Sequence, residues 1–168
     1  MKAAAARYLK ERLSAMILRT LCLSAMLAAF ASAAGAAVPC EGKPTGVKLN
    51  VTVTGAKPVK GQIAVTVYDS ARRWLAPGQK LLRQRPKTTA GPVHSCFWLP
   101  RAGTYGVAVY HDANGDNDFN RTLTGLPAEG FGFSNNVVAR FALPKFEQVR
   151  FAAGPGETSQ RIGLRYLD

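Results

Sequence analysis

Acidic residues, histidine and cysteine are all scarce in this 168-residue chain, and each scarcity removes a class of function. Only 10 Asp and Glu stand against 22 Lys and Arg, giving a net charge of +12. Two histidines, His94 and His111, and no free cysteine pair leave zinc without a ligand set. Neither G-x-S-x-G nor H-E-x-x-H occurs, so the common hydrolase and metalloprotease motifs are missing. Past residue 40 the chain lacks a helical period, an internal repeat and a low-complexity linker, which leaves one compact domain.

The N-terminus reads as an export signal. Lys2, Arg7, Lys10, Arg12 and Arg19 are basic, and an uncharged Ala/Leu-rich run begins at Leu21. Two A-x-A exits follow, Ala31-Ser32-Ala33 and Ala34-Gly35-Ala36, as a secretory signal peptide requires. Met16-Ile17-Leu18-Arg19 offers a second, shorter start. The competing reading is an uncleaved anchor, because the run to Val38 approaches the ~18 residues of a span. Alanine is a weak membrane residue, and cleavage is the expectation. The expected organisation is a signal peptide over 1–36, an N-terminal extension over 37–45 and a domain over 46–168. No transmembrane span is then expected in the mature chain, and its place is the periplasm or the exterior.

Removing five basic residues and Glu11 with the signal takes the net charge from +12 to +8. The remaining Lys and Arg are scattered rather than clustered, which speaks against nucleic acid. Anionic envelope polysaccharide, an anionic lipid surface or another envelope protein are the expected neighbours, drawn by long-range attraction. Cys22 leaves with the signal. Cys40 and Cys96 remain, and in an oxidising compartment they are expected to form a disulfide. It would close a loop of roughly 57 residues, worth about 4 kcal/mol in the chain-entropy picture. A lipid on Cys40 is the alternative, but Ala37-Val38-Pro39 lacks the small residue needed just before the cysteine.

From Gly46 onward the hydrophobic period is two. Val47, Leu49, Val51 and Val53 alternate with polar residues, and Ile63, Val65 and Val67 make a second inward face. Trp74 is expected to plug one end of the core. Lys80 to Thr88, broken by Pro86, reads as a basic edge strand. Val93–Leu99, Tyr105–Val109, Glu147–Ala152 and Ser159–Leu167 complete about seven strands. The fold class is all-β, a small antiparallel β-sandwich.

Several short runs carry a family resemblance. They are Gly61-Gln62-Ile63-Ala64-Val65 with Tyr68-Asp69, Gly103-Thr104-Tyr105 followed by Val107 to Asp112, and Gly125-Leu126-Pro127. The most specific is Glu129-Gly130-Phe131-Gly132-Phe133-Ser134-Asn135-Asn136. Over residues 46–168 the chain resembles the bacterial domain-of-unknown-function family 2141. The resemblance implies an exported Gram-negative protein with a transthyretin- or immunoglobulin-like sandwich, and it carries over no catalytic residue. Asn117 departs from the glycine that relatives often place in the acidic loop.

The long polar stretch His111–Asn136 holds three candidate sites. Asp112, Asn114, Asp116 and Asp118 have partial calcium-loop spacing, since D-x-[DN]-x-[DN] supplies hard oxygens. As an EF-hand the loop fails, with Asn117 at position six and Leu123 at position twelve. A plain Asx turn explains the same residues. The run Glu129, Phe131, Phe133, Ser134, Asn135 and Asn136 offers aromatic faces beside amides, suited to a sugar or peptide, or equally to a loop packed on itself. Ser134, His111 and Asp112 can be written as a hydrolytic triad. Adjacent strand side chains point to opposite faces, though, so Asp112 does not orient His111. The reading is therefore a non-catalytic binding or structural module of the envelope, with a calcium-stabilised loop as a candidate feature. The alternatives are a secreted hydrolase-like enzyme using the 111–136 loop and a basic polysaccharide-binding module.

Overall fold

The computed structural model describes residues 38–139 and 142–167. The expected signal segment and its cleavage site lie outside the described residues. No helix among the described residues is long and apolar enough to cross a membrane.

The chain is predominantly β, arranged in two sheets. Its strands are β1 (Val47–Thr54), β2 (Gln62–Tyr68), β3 (Leu82–Gln84), β4 (Val93–Trp98), β5 (Gly103–Asp112), β6 (Phe131–Phe133), β7 (Phe151–Ala153) and β8 (Gly156–Gly163). One sheet has the order β4-β1-β8, and the other runs β3-β2-β5-β6 with β7 paired to the start of β5. Between them lies the main core. Val47, Leu49, Val51 and Val53 of β1 meet Ile63, Val65 and Val67 of β2 and Val107 and Val109 of β5, all buried. Each side chain of this size contributes about 1.5–3 kcal/mol when removed from water. The alternation read in the sequence is thus the inner face of each sheet.

Cys40 and Cys96 are joined by a disulfide that ties the segment before β1 to β4, across 56 positions of chain. Glu41 N–H donates to Cys96 O at 2.8 Å, and Trp98 N–H to Glu41 O at 2.8 Å, so the tie continues as backbone pairing.

Three expectations need correction. The sandwich is not wholly antiparallel, because β1 pairs β8 in parallel from Val47↔Gly156 to Thr54↔Gly163. The connection from β7 is only Gly154-Pro155, so β8 must start where β7 stops, beside the beginning of β1. Gly156 N–H donates to Gly46 O at 2.7 Å at that point. Next, the strand expected over 147–152 opens instead with a one-turn helix, α1 (Phe146–Val149). Phe146 and Val149, three apart, fall on one helical face and are both buried there. Finally, Trp74 does not plug the main core. It sits on the outer face of the larger sheet, edge-on to Tyr68 at 5.1 Å and near Phe133 and Phe146.

Candidate functional site

That outer face carries a second hydrophobic cluster, built on Phe131, Phe133 and Val149. β2 and β5 are buried on both faces, and their outward residues set what the second face can hold. Ala64, Thr66, Gly106 and Ala108 are small, and they leave room for aromatic rings from elsewhere. A Cβ on Gly106 would already press on the Phe146 and Trp74 rings, at 3.0 and 3.2 Å.

β6 brings Phe133 opposite Ala108 and Phe131 opposite Tyr110. Its two glycines serve close approach. A Cβ on Gly132 would meet Ile162 Cγ2 at 2.7 Å and Gly163 O at 2.8 Å, and one on Gly130 would enter the Tyr166 ring. The unusual backbone belongs to the asparagines instead, since Asn135 and Asn136 take φ of 58° and 53°.

Ser134, Asn135 and Asn136 are engaged in holding this edge together. The buried Ser134 Oγ accepts from Val107 N–H at 2.9 Å and donates to Val149 O at 2.7 Å. Asn135 Nδ2 donates to Val149 O and Arg150 O, and Asn136 Oδ1 accepts from Gly163 N–H at 3.1 Å. One short run therefore stitches β5, β6, α1 and β8.

Residues 51–161 match the family described as "Uncharacterized protein conserved in bacteria (DUF2141)". This chain belongs to the DUF2141 family. No curated protein and no solved structure matches it. The DUF2141 match runs from within β1 to within β8, so it takes in both sheets and the whole long loop.

The acidic half of that loop turns on Asp112, whose side chain is completely buried. Its carboxylate accepts from Gly115 N–H at 2.7 Å, Asn117 N–H at 3.0 Å, Gln62 Nε2 at 2.7 Å and Arg85 Nη1 at 3.2 Å. The same Arg85 guanidinium donates to Tyr110 Oη and to Asn117 O, at 2.9 and 2.8 Å. Asn117, with φ of 71°, takes the left-handed conformation that a glycine would fill. Asp116 accepts from Asp118 N–H first, then from Asn120 Nδ2 and Asn114 Nδ2, and these hold its carboxyl below the usual carboxylate range. Glu129 folds back beneath the loop and accepts from Asn120 N–H at 3.1 Å. Burial first, and then the charges of Asp112 and Asp116, raise its pKa despite the backbone donors of Asn120 and Ala113. Among the described residues no group of three or more His, Cys, Asp or Glu side chains is placed to hold a metal.

The three residues that could be written as a triad are each engaged elsewhere. His111 lies on the inner face of β5, where Nε2 meets Lys60 O and Nδ1 meets Tyr166 Oη, both at 2.8 Å. Lys60 O can only accept, so Nε2 carries a proton and donates to it. Asp112 faces the other way, as strand geometry requires. Ser134 bonds the backbone of β5 and α1. Among the described residues no hydrogen bond links the three.

Beside this self-bonded loop the outer face opens into a cavity of about 260 Å³. Its floor is the sheet itself, through Thr66, Tyr68, Ala108, Tyr110, Phe131 and Phe133. The segment Leu75–Gly78 makes one wall and Phe119 another. Lys80, Arg83 and Arg121 stand around it, and no Asp or Glu lines it. Of the ligand-binding residues expected from sequence, Phe131 and Phe133 line this cavity, whereas Glu129, Ser134, Asn135 and Asn136 do not. Sequence reasoning missed Tyr68, Arg83, Tyr110 and Arg121. The available signal was the run of small outward residues on β2 and β5, which marks a face covered by something other than water.

Proposed function

We propose that this DUF2141 protein is an exported, non-catalytic binding module whose site is the aromatic cavity on the outer face of the larger sheet. The cavity carries the reading. It is concave, mainly apolar and floored by a rigid sheet, with a few polar groups converging on it, as small-molecule sites are. The volume lies just below the range of drug-sized pockets, which fits a compact aromatic ligand of up to about three rings rather than a polymer.

Export is supported by the basic N-terminus, the apolar run and its A-x-A exits, together with a disulfide of the kind that persists in oxidising compartments. A periplasmic or secreted location follows. The two facing sheets support a transthyretin- or immunoglobulin-like arrangement, with the parallel β1–β8 pair as its departure. Anionic polysaccharide and lipid act as neighbours of the basic surface, not as occupants of the cavity.

The test is binding of phenylnaphthylamine, a neutral dye that fluoresces when it leaves water. Saturable binding by the wild type, lost in Ala108→Phe with an unchanged melting temperature, supports the site. Equal binding by both proteins overturns it.

Calcium stabilisation of the acidic loop is the weaker reading. Glu129 beneath Asp112 and Asp116 favours it, but Asp112 would have to release two backbone donors, and calcium asks for 6–8 oxygens. A rise in melting temperature above about 5 °C at millimolar calcium, lost in Asp116→Ala/Asp118→Ala, would restore it.

A further inference from the structure

We infer that the cavity takes a compact aromatic anion, a carboxylate or sulfonate of up to about three rings, with Arg83 and Arg121 receiving the negative group. The inference rests on the binding reading above and specifies its ligand.

Charge is the first line of support. The ion pairs among the described residues are Lys48–Glu157, Arg73–Asp69 and Arg85–Asp112. Arg83, Arg121 and Lys80 take part in none of them, and all three stand at a cavity without a carboxylate. Arg83 is only half-buried, and Nε is held by a neutral group, Thr66 Oγ1, at 2.9 Å. Tyr68 beside it has its hydroxyl pKa raised by burial, with the charge of Arg83 and a hydrogen bond to it pulling the other way, so it remains an uncharged partner. Arg121 donates from Nη1 to Gly125 O at 3.0 Å and lies over the Phe119 ring at 5.3 Å from its centroid. A guanidinium with five N–H groups that is held by only one or two neutral acceptors keeps others for a further acceptor, and a carboxylate or sulfonate matches that fork.

Ring geometry is the second. Tyr110 and Phe119 are 5.5 Å apart and tilted by 51°. Phe119 and Phe131 meet edge-to-face at 6.2 Å, and Phe131 and Phe133 do so at 5.9 Å. Such a lattice presents both faces and edges, and a flat ring extends it with the offset contacts aromatic pairs prefer. A flexible alkyl chain would gain apolar contact but not that complementarity.

The experiment compares two dyes of one skeleton, anilinonaphthalenesulfonate and neutral phenylnaphthylamine, on the intact mature protein. Salt is kept at about 150 mM to screen the general basic surface. The sulfonate is expected to bind at least about 10-fold more tightly, and Arg83→Gln/Arg121→Gln should bring the two within about two-fold while leaving the amine unaffected. Naphthoate should displace the sulfonate dye, and decanoate should not. Equal affinities for the two dyes, unchanged in the double variant, would overturn the anion assignment and leave the cavity standing. Displacement by decanoate but not naphthoate would overturn the aromatic assignment. If neither dye binds, or both bind Ala108→Phe as well as wild type, the site itself is refuted and the inference with it.

Discussion

Arg83, in β3, and Arg85, just past its end, both reach the outer face of the larger sheet, and their surroundings differ in kind. Arg85 reaches a completely buried carboxylate, a tyrosine hydroxyl and a backbone carbonyl, so both terminal nitrogens of its guanidinium are bonded within the protein. Arg83 reaches a threonine hydroxyl at the edge of a cavity and meets no carboxylate. The difference separates two halves of the outer face. Around Asp112 the polar groups satisfy one another and fix a loop. Around Phe131 and Phe133 the apolar floor is built but the charge is left for something outside the chain.

The largest expected effect lies on the Arg85 side. Asp112→Ala strips four donors of their acceptor and leaves a largely buried guanidinium unpaired. It should cost about 3 kcal/mol in urea unfolding, near the low end for a broken buried pair because Arg85 keeps some contact with water. Arg83→Gln should stay within about 0.5 kcal/mol, as surface changes do. Similar losses from the two variants would erase the contrast.

Ser134→Ala comes next. It orphans the buried Val107 N–H and removes the tie to Val149 O, with an expected cost of about 1–3 kcal/mol in the same assay. A neutral result would mean that the run from Glu129 to Asn136 is not the stitch between β5, α1 and β8. That would reopen its use for a ligand.

Glu129 gives the smallest effect and sharpens the comparison through pH. Its folded pKa is raised, so the native state holds its proton more tightly than the unfolded chain does. The stabilising contribution is complete below the ordinary value of 4.5 and is lost as pH rises through the folded pKa. Glu129→Gln removes that loss. Its melting temperature relative to wild type should therefore be higher at pH 7 than at pH 4, and the opposite trend would mean that a cation or an unseen donor stabilises the carboxylate.

Much of this architecture is legible in the sequence because the inner faces alternate cleanly. Val47 to Val53 and Ile63 to Val67 name their strands without help, and Cys40 and Cys96, the two cysteines beyond the expected signal, name the disulfide. The parallel β1–β8 pair is not legible, because it depends on how short the β7–β8 connection is and on where β7 has already docked. α1 is hidden by its length, since one turn gives no period to read. The cavity is hidden for another reason. Its floor comes from residues opposite the core on β2 and β5, whose small size marks a covered face without naming the cover, which comes from β6 and the Leu75 and Phe119 segments. Asp112 reads as a metal ligand or a turn residue with equal ease. Only its burial against Arg85, 27 residues earlier, separates the two.

The contrast between the two arginines can be observed directly at their Nε–H groups. In ¹⁵N–¹H NMR spectra of the protein, titration with naphthalenesulfonate should move the Arg83 and Arg121 Nε–H resonances saturably and leave Arg85 in place. Movement of Arg85 with Arg83 unmoved would contradict the division of the outer face into a closed loop and an open site.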